Sequence, residues 1–426
     1  MLTLLVSMML LFIFLEIPVS FSIGLASLMY LLINDFPTAL VAQRSVLGTY
    51  SFPFLALPFF ILAGGLMEYG GISRRLLRLS SALVGHIRGG LAVVTVVASL
   101  LFGTLSGSAI GSTAAIGSIM IPAMKKKGYV AEFTAALMAC SGVLSSMIPP
   151  SLTKVILGAT AGISIGALFI AAVVPGIITA LGLIIVSLII SKRRGYGGEE
   201  RASLKELMAA AVDSILPMLA PVIMLGGVWG GIFTVTESAI ICVVYTLFLG
   251  AVVYKEIKIQ DFFNICYKTV LTTISVSLII GLASLFAWIV AAERMPQMMA
   301  SWFLSISDSK WVFLILVNIL VLLLGTFMET SALILILIPI FMPIAKQYGI
   351  DAIHFSVVFL VNLCIGANTP PLGVTLMTAS KIAEVSYTKA TIAVMPFILS
   401  TVIVLFICTF IPELSTWLPK IFFGGR

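Results

Sequence analysis

Apolar runs broken by short polar punctuation fill the chain. Residues 2–15 and 17–33 flank Glu16-Ile17-Pro18, a mixed stretch around Arg44 suits the membrane interface, and another run covers 53–69. Runs of roughly 20 apolar residues can span a bilayer as helices. The run from Gly89 to Met124 is different. It begins beside Arg88 and ends at Lys125-Lys126-Lys127, so it enters and leaves on one side. Its two arms, each roughly 15 residues, are too short to cross and predict a re-entrant hairpin. Its tip reads FGTLSGSAIGSTAAIGS from Phe102, with small and hydroxyl residues crowded between apolar flanks. Gly103, Gly107, Gly111 and Gly117 are expected to loosen the backbone there, and Thr104, Ser106, Ser108, Ser112 and Thr113 offer oxygens where hydrocarbon needs none. Irregular backbone at membrane depth survives only when buried in protein or lining a cavity.

Residues 130–163 are interrupted by Pro149-Pro150, which predicts a helix broken inside the membrane, and 165–191 return to Lys192-Arg193-Arg194. The arrangement recurs. Pro122, Lys125, Gly128, Pro149, Pro150 and Pro175 are matched 221 residues later by Pro343, Lys346, Gly349, Pro370, Pro371 and Pro396. Runs at 217–232, 237–254, 267–292 and 311–324 lead to a second tip, LLLGTFMETSALILILIPI, where Gly325 and Thr326 match Gly103 and Thr104 after a one-residue slip. The intervening spans put Asp308 and Lys310 outside, so the second hairpin enters from the opposite face. The fold class is an all-α polytopic membrane protein with an inverted-topology repeat, two re-entrant hairpins and two broken helices. Repeat one covers 1–195, a cytoplasmic linker 196–216, and repeat two 217–426.

Composition agrees: 61% of the 426 residues are hydrophobic and 10% charged, against about half and about a quarter in soluble domains. Met1 leads straight into apolar sequence without a basic region or small-residue cleavage site, so the first run is expected to be retained as a span. The net charge of +7 is carried by short loops rather than a polar domain. It therefore reports topology, not nucleic acid binding. Basic residues concentrate at Arg74, Arg75, Arg78, Arg88, Lys125–Lys127 and Lys192–Arg194, with Arg201, Lys205, Lys255, Lys258, Lys268, Lys381 and Lys389 on the same, cytoplasmic side; Arg44, Arg294, Lys310, Lys346, Lys420 and Arg426 fall outside. Five cysteines without CxxC spacing and two histidines make disulfides or zinc improbable, and no cofactor is implied.

Inverted repeats with discontinuous helices meeting at mid-membrane bind substrate and coupling ions in secondary transporters. Half-helix C-terminal carbonyls and nearby hydroxyls suit a hard cation such as sodium. The first sodium site is placed among Thr104, Ser106, Ser108, Ser145 and Ser146; its mate lies among Gly325, Thr326, Thr330, Gly366, Asn368 and Thr369. Ser108, Ser112, Lys154 and Asn368 are the candidates for substrate contact. Lys154, in PPSLTK, lies about one turn into the second half of the broken helix, where an ionisable residue is a functional candidate; the alternative is that it snorkels or pairs with a carbonyl. Small residues and hydroxyls also serve close helix packing, but packing alone does not explain why hydroxyls, glycines and double prolines converge twice at one offset. Glu16 and Glu237, 221 apart, are expected to cap or hold the scaffold, while Glu68 and Glu329 sit at run ends, where Glu329 either serves an ion or stabilises the second tip.

FGTLSGSAIGSTAAIGS, IPAMKKKGY, MIPPS, GIFTVTESA and NTPPLG, in this order along nearly the whole chain, resemble the large membrane subunit of TRAP transporters, the DctM-like family. The resemblance implies a sodium-driven secondary transporter of the bacterial inner membrane, with a scaffold (1–89 and 217–310) and a moving, elevator-type transport domain (90–191 and 311–411). It also implies a small four-helix membrane subunit, a periplasmic substrate-binding protein, and organic acids such as C4-dicarboxylates or sialic acids as substrates. One departure stands out: Lys154 occupies a place where the family commonly has an apolar residue.

A membrane-embedded enzyme would need a nucleophile with a base, paired aspartates or HExxH; the two histidines and five aspartates sit at loops or run ends. An uncoupled channel and a stand-alone sodium/organic-anion symporter would share the repeat, and only coupling and dependence on partners separate them.

Overall fold

The computed structural model describes residues 2–424, in which every regular element is helical. Seven helices there are long and apolar enough to cross a membrane. Two bent pairs could add to them: Ala131–Met147 with Leu152–Ala161, bent by 46°, and Met295–Ile306 with Lys310–Gly325, bent by 117°. This is a multi-pass membrane protein.

The repeat is visible element by element. The hairpin arms Gly90–Ser106 and Ala109–Lys126 correspond to Lys310–Gly325 and Thr330–Gln347. The broken helix that follows, Ala131–Gly142 with Leu144–Met147 and then Leu152–Ala161, corresponds to Ala352–Gly366 and Val374–Ala383. Proline lacks an N–H and clashes with the preceding turn, so each helix stops before its Pro-Pro pair. Both Pro149-Pro150 and Pro370-Pro371 are cis. Cys364 Sγ lies 3.9 Å from the carbonyl of Val143, 221 residues earlier. A residue that touches its own repeat mate lies on the local two-fold axis, so the axis passes between the two broken helices.

Segments assigned to one face of the membrane meet in space. Arg74 and Arg75 pair with Glu256 at 2.5 and 2.9 Å, Arg78 with Asp213 at 2.6 Å, and Lys125 Nζ donates to the Ala383 carbonyl at 3.0 Å. Tyr196 stacks on Tyr129 with ring centroids 4.0 Å apart. On the other face the Tyr348 hydroxyl donates to the Ser307 carbonyl at 2.9 Å, and His354 Nδ1 lies 2.9 Å from Ser415 Oγ. Arg426 lies outside the described residues.

The second hairpin's returning arm has 67% of its apolar window buried, against 33–39% for the other six long helices. It is therefore enclosed by protein, as a re-entrant arm should be.

Three sequence expectations change. The run placed at 267–292 is the end of one 34-residue helix, Ile259–Ala292, so Lys268 sits in a helix wall rather than a loop. The linker expected at 196–216 is partly helical, because Leu204–Trp229 starts early behind a Ser203–Glu206 capping box. The stretch around Arg44 forms Ala39–Thr49 and packs on the long helix, where a Cβ on Gly281 would lie 3.1 Å from the Ser45 carbonyl oxygen. Repeat one thus uses two helices, Ala39–Thr49 and Ala56–Tyr69, where repeat two uses one.

Candidate functional site

Each hairpin tip is built around a helix start. In the first, Gly107 takes a left-handed φ of 60° and Ser108 caps the returning arm, accepting from the Gly111 N–H at 3.2 Å. In the second, Glu329 is the cap: its carboxylate accepts from Ser331 N at 2.8 Å and Ala332 N at 3.2 Å. Glu237 likewise closes a capping box with Thr234. Glu16 does not cap; it occupies a left-handed turn with φ 63°.

The tips rest on the breaks. A Cβ on Gly103 would lie 2.8 Å from Ser145 Cα, and one on Gly366 would lie 2.8 Å from Gly325 Cα. Of the four tip glycines expected to loosen the backbone, only Gly107 has positive φ; Gly103 instead permits close approach. Backbone bonds cross the same contacts, Leu152 N to Gly107 O at 3.4 Å and Leu372 N to Thr326 O at 3.2 Å.

The hydroxyls at these contacts share one disposition. Thr104 donates to Leu101 O at 2.6 Å and its counterpart Thr326 to Leu323 O at 2.8 Å. Ser145 donates to Gly142 O at 2.7 Å and Thr369 to Ile365 O at 2.7 Å. A hydroxyl whose one proton is already committed presents only lone pairs, the character a hard cation requires of its ligands.

A cavity of about 200 Å³ joins both tips and both breaks. Gly107, Ser108, Ser146, Thr153, Glu329, Thr330, Ser331, Ala367 and Thr375 line it, with Leu57, Thr272 and Val276 from the scaffold helices. Of the residues expected to contact substrate, only Ser108 reaches it. Ser112 is buried, 2.7 Å from Ser106 Oγ. Asn368 is buried beside the lining, bonded to Cys364 O and to Thr375. Lys154 is fully buried, with Nζ 2.5 Å from the Met147 carbonyl, closing the cut end of the first half-helix. Thr375, 221 residues on, occupies the same place in repeat two: its N–H donates to Ala367 O at 3.3 Å and its hydroxyl lies 2.8 Å from that oxygen and against Asn368 Oδ1.

A second cavity, of about 220 Å³, shares Ile61, Ser108, Leu152 and Thr272 with the first and adds Ser106, Glu68, Tyr69 and Lys268. Sequence reasoning flagged Glu68 but misplaced Lys268. The apolar Phe262-Phe263 just before it was the available sign that the helix starts earlier.

Two inverted halves, each setting a hairpin tip against a broken helix around one central cavity, define a secondary transporter. Of the solved structures, the YdaH transporter of Alcanivorax borkumensis shares this fold, with TM-score 0.64 and 14% identity over 90% of this chain and 88% of that one. The sequence matches the DctM component of the tripartite ATP-independent periplasmic transporters over residues 6–414. It is 40% identical to the sialic acid TRAP transporter large permease protein SiaM of Vibrio cholerae, over 96% of each chain. It is 41% identical to the C4-dicarboxylate TRAP transporter large permease protein DctM of Pseudomonas aeruginosa, over 86% of each. The chain belongs to the DctM family of TRAP transporter large permeases, which are transport subunits and not enzymes.

Proposed function

We propose that this permease imports a small organic anion across the bacterial inner membrane, coupled to sodium entry at the two tip–break contacts. The observation that carries this is the repeated set of proton-committed hydroxyls, Thr104 and Ser145 in one half and Thr326 and Thr369 in the other. Together with half-helix carbonyls, these groups offer oxygen ligands without a fixed anion, which suits sodium. The central cavity takes the substrate, with Ser108, Thr330 and Ser331 as its polar contacts. The relatives named for sialic acid and C4-dicarboxylates support an organic acid as cargo. Residues 90–191 and 311–411 form the moving domain, and 1–89 with 217–310 form the scaffold.

The partners are a small four-helix membrane subunit, bound on the lipid-facing scaffold, and a periplasmic binding protein. The loops at 307–309 and 348–351 on the outer face are a few residues long, whereas a capture domain normally needs about 50 residues or more, so capture falls to a separate protein. Reconstitution in proteoliposomes with both partners and an inward sodium gradient tests the proposal. Saturable uptake should need sodium and the binding protein. Robust uptake of free substrate without that protein would support a stand-alone symporter, and gradient-independent flux a channel.

A further inference from the structure

The scaffold holds two cations in reciprocal positions. Lys268, on the long helix of repeat two, leans on repeat one: its Nζ donates to the Tyr69 hydroxyl at 2.8 Å and lies 5.3 Å from that ring's centroid. Arg44, on Ala39–Thr49 of repeat one, leans on repeat two, with Cζ 5.1 Å from the Trp288 ring centroid. Subtracting the repeat offset from Lys268 gives Leu47, one helical turn from Arg44. The two pairs are therefore approximate images under the inverted repeat and lie toward opposite faces. Tyr69 leads into the turn before the cytoplasmic Arg74 and Arg75, whereas Trp288 leads to Arg294 on the outer side.

Neither cation sits in a direct ion pair, although Glu68 lines the same cavity as Lys268. Among the described residues no carboxylate oxygen lies within 4.0 Å of either, and Arg44 Nε is buried without a hydrogen-bond partner. Lys268 is roughly 13 Å along its helix from Ile259, at about 1.5 Å per residue. It lines the cavity that adjoins the substrate cavity, and Thr272, one turn further along, lines both. Snorkelling would carry a lysine away from the protein toward the headgroups; here an aromatic ring holds it in the cavity wall instead.

We propose that Lys268 and Arg44 are paired receiving residues for the anionic group of the substrate, Lys268 on its way to the cytoplasm and Arg44 on its way in from the outer face. The inference rests on the organic-anion function proposed above. Each cation is held by an aromatic face that supplies no counter-charge; Lys268 gives one N–H to the Tyr69 hydroxyl and keeps its others for a carboxylate, and Arg44 Nε has no partner. Charge-assisted bonds of this kind are about twice as strong as neutral ones.

The test is side-specific. Lys268→Gln and Arg44→Gln permeases, reconstituted in one orientation with the small subunit, are assayed by substrate exchange. Substrate is varied on one face while the other is saturated, with binding protein on the outer side. Lys268→Gln should raise the half-saturating concentration at the cytoplasmic face about tenfold and leave the outer value in place, and Arg44→Gln should do the reverse. Lys268→Arg and Arg44→Lys should restore most of each loss, and they carry the test if a glutamine variant fails to fold. Equal shifts on both faces, no shift on either, or no rescue by the charged variants would overturn the proposal. Absence of organic-anion exchange in the unmodified permease would instead overturn the proposed function, and this inference with it.

Discussion

The contact between Gly325 and Gly366 makes a quantitative demand on the second of the proposed sodium sites. A Cβ on Gly366 would lie 2.8 Å from Gly325 Cα and 2.9 Å from its carbonyl carbon and oxygen. Relaxed carbon contacts begin near about 3.5 Å, so Gly366→Ala must drive the two backbones apart by roughly 0.7 Å. No flexible side chain can absorb this, because every atom met is backbone. Overpacking of this kind costs about 1–3 kcal/mol, which as a binding penalty is roughly fivefold to more than a hundredfold. The displacement also pulls at the 3.2 Å Leu372–Thr326 bond across the same contact. Gly325→Ala should be milder, since its Cβ would meet Gly366 Cα at 3.2 Å, and Gly226→Ala should be neutral, with no neighbour within 4 Å. The assay is initial uptake against sodium concentration in proteoliposomes, with thermal melting in detergent as the folding control. The half-saturating sodium concentration should rise in the order Gly226→Ala, Gly325→Ala, Gly366→Ala. A Gly366→Ala permease with unchanged sodium dependence and melting would refute both the packing and the site.

Three further predictions address single residues. Ser106→Ala and Thr326→Ala each remove an oxygen at a tip and should raise the sodium concentration for half-maximal uptake severalfold; unchanged sodium dependence in both, at normal expression, would count against the tip assignments. Lys154→Met loses the bond to the Met147 carbonyl but spares the burial of an ionisable group, and these effects oppose each other. Its melting temperature should stay within a few degrees and its half-saturating substrate concentration should not move; a large rise in the latter would put Lys154 at the substrate in another state of the cycle. Single cysteines at positions 126 and 346 in a cysteine-free chain should react with an impermeant maleimide from opposite sides, and labelling from the same side would be incompatible with an inverted repeat.

The hairpins and breaks were legible because they violate a strong rule. A bilayer tolerates glycine, proline and hydroxyl clusters only where protein encloses them, so FGTLSGSAIGS and SMIPPS announce themselves against apolar flanks. The scaffold was less legible for the opposite reason: its helices obey the rule, and where one ends is decided by packing that composition does not encode. Ile259–Ala292 extends through Phe262 and Phe263 as a single helix, whereas its repeat-one equivalent breaks at Tyr50–Ser51. The misplacement of Lys268 follows from that one boundary. Hydroxyls were found, but not all their directions: Ser112 turns to Ser106 rather than to the cavity, because both lie on the inner seam of the first hairpin.

Lys154 shows how far sequence symmetry can be carried. Both broken helices expose a carbonyl end that needs a donor, and both receive it from the same place, one turn into the following half-helix. Repeat two supplies Thr375, which stays neutral and remains in the cavity wall. Repeat one supplies a longer chain that reaches past the break, takes its nitrogen out of the cavity, and brings it 5.8 Å from the Phe169 ring. A threonine at 154 would leave its hydroxyl at the cavity wall, whereas lysine removes the polar group from it. The two halves therefore share a backbone solution but line the central cavity with different polar groups.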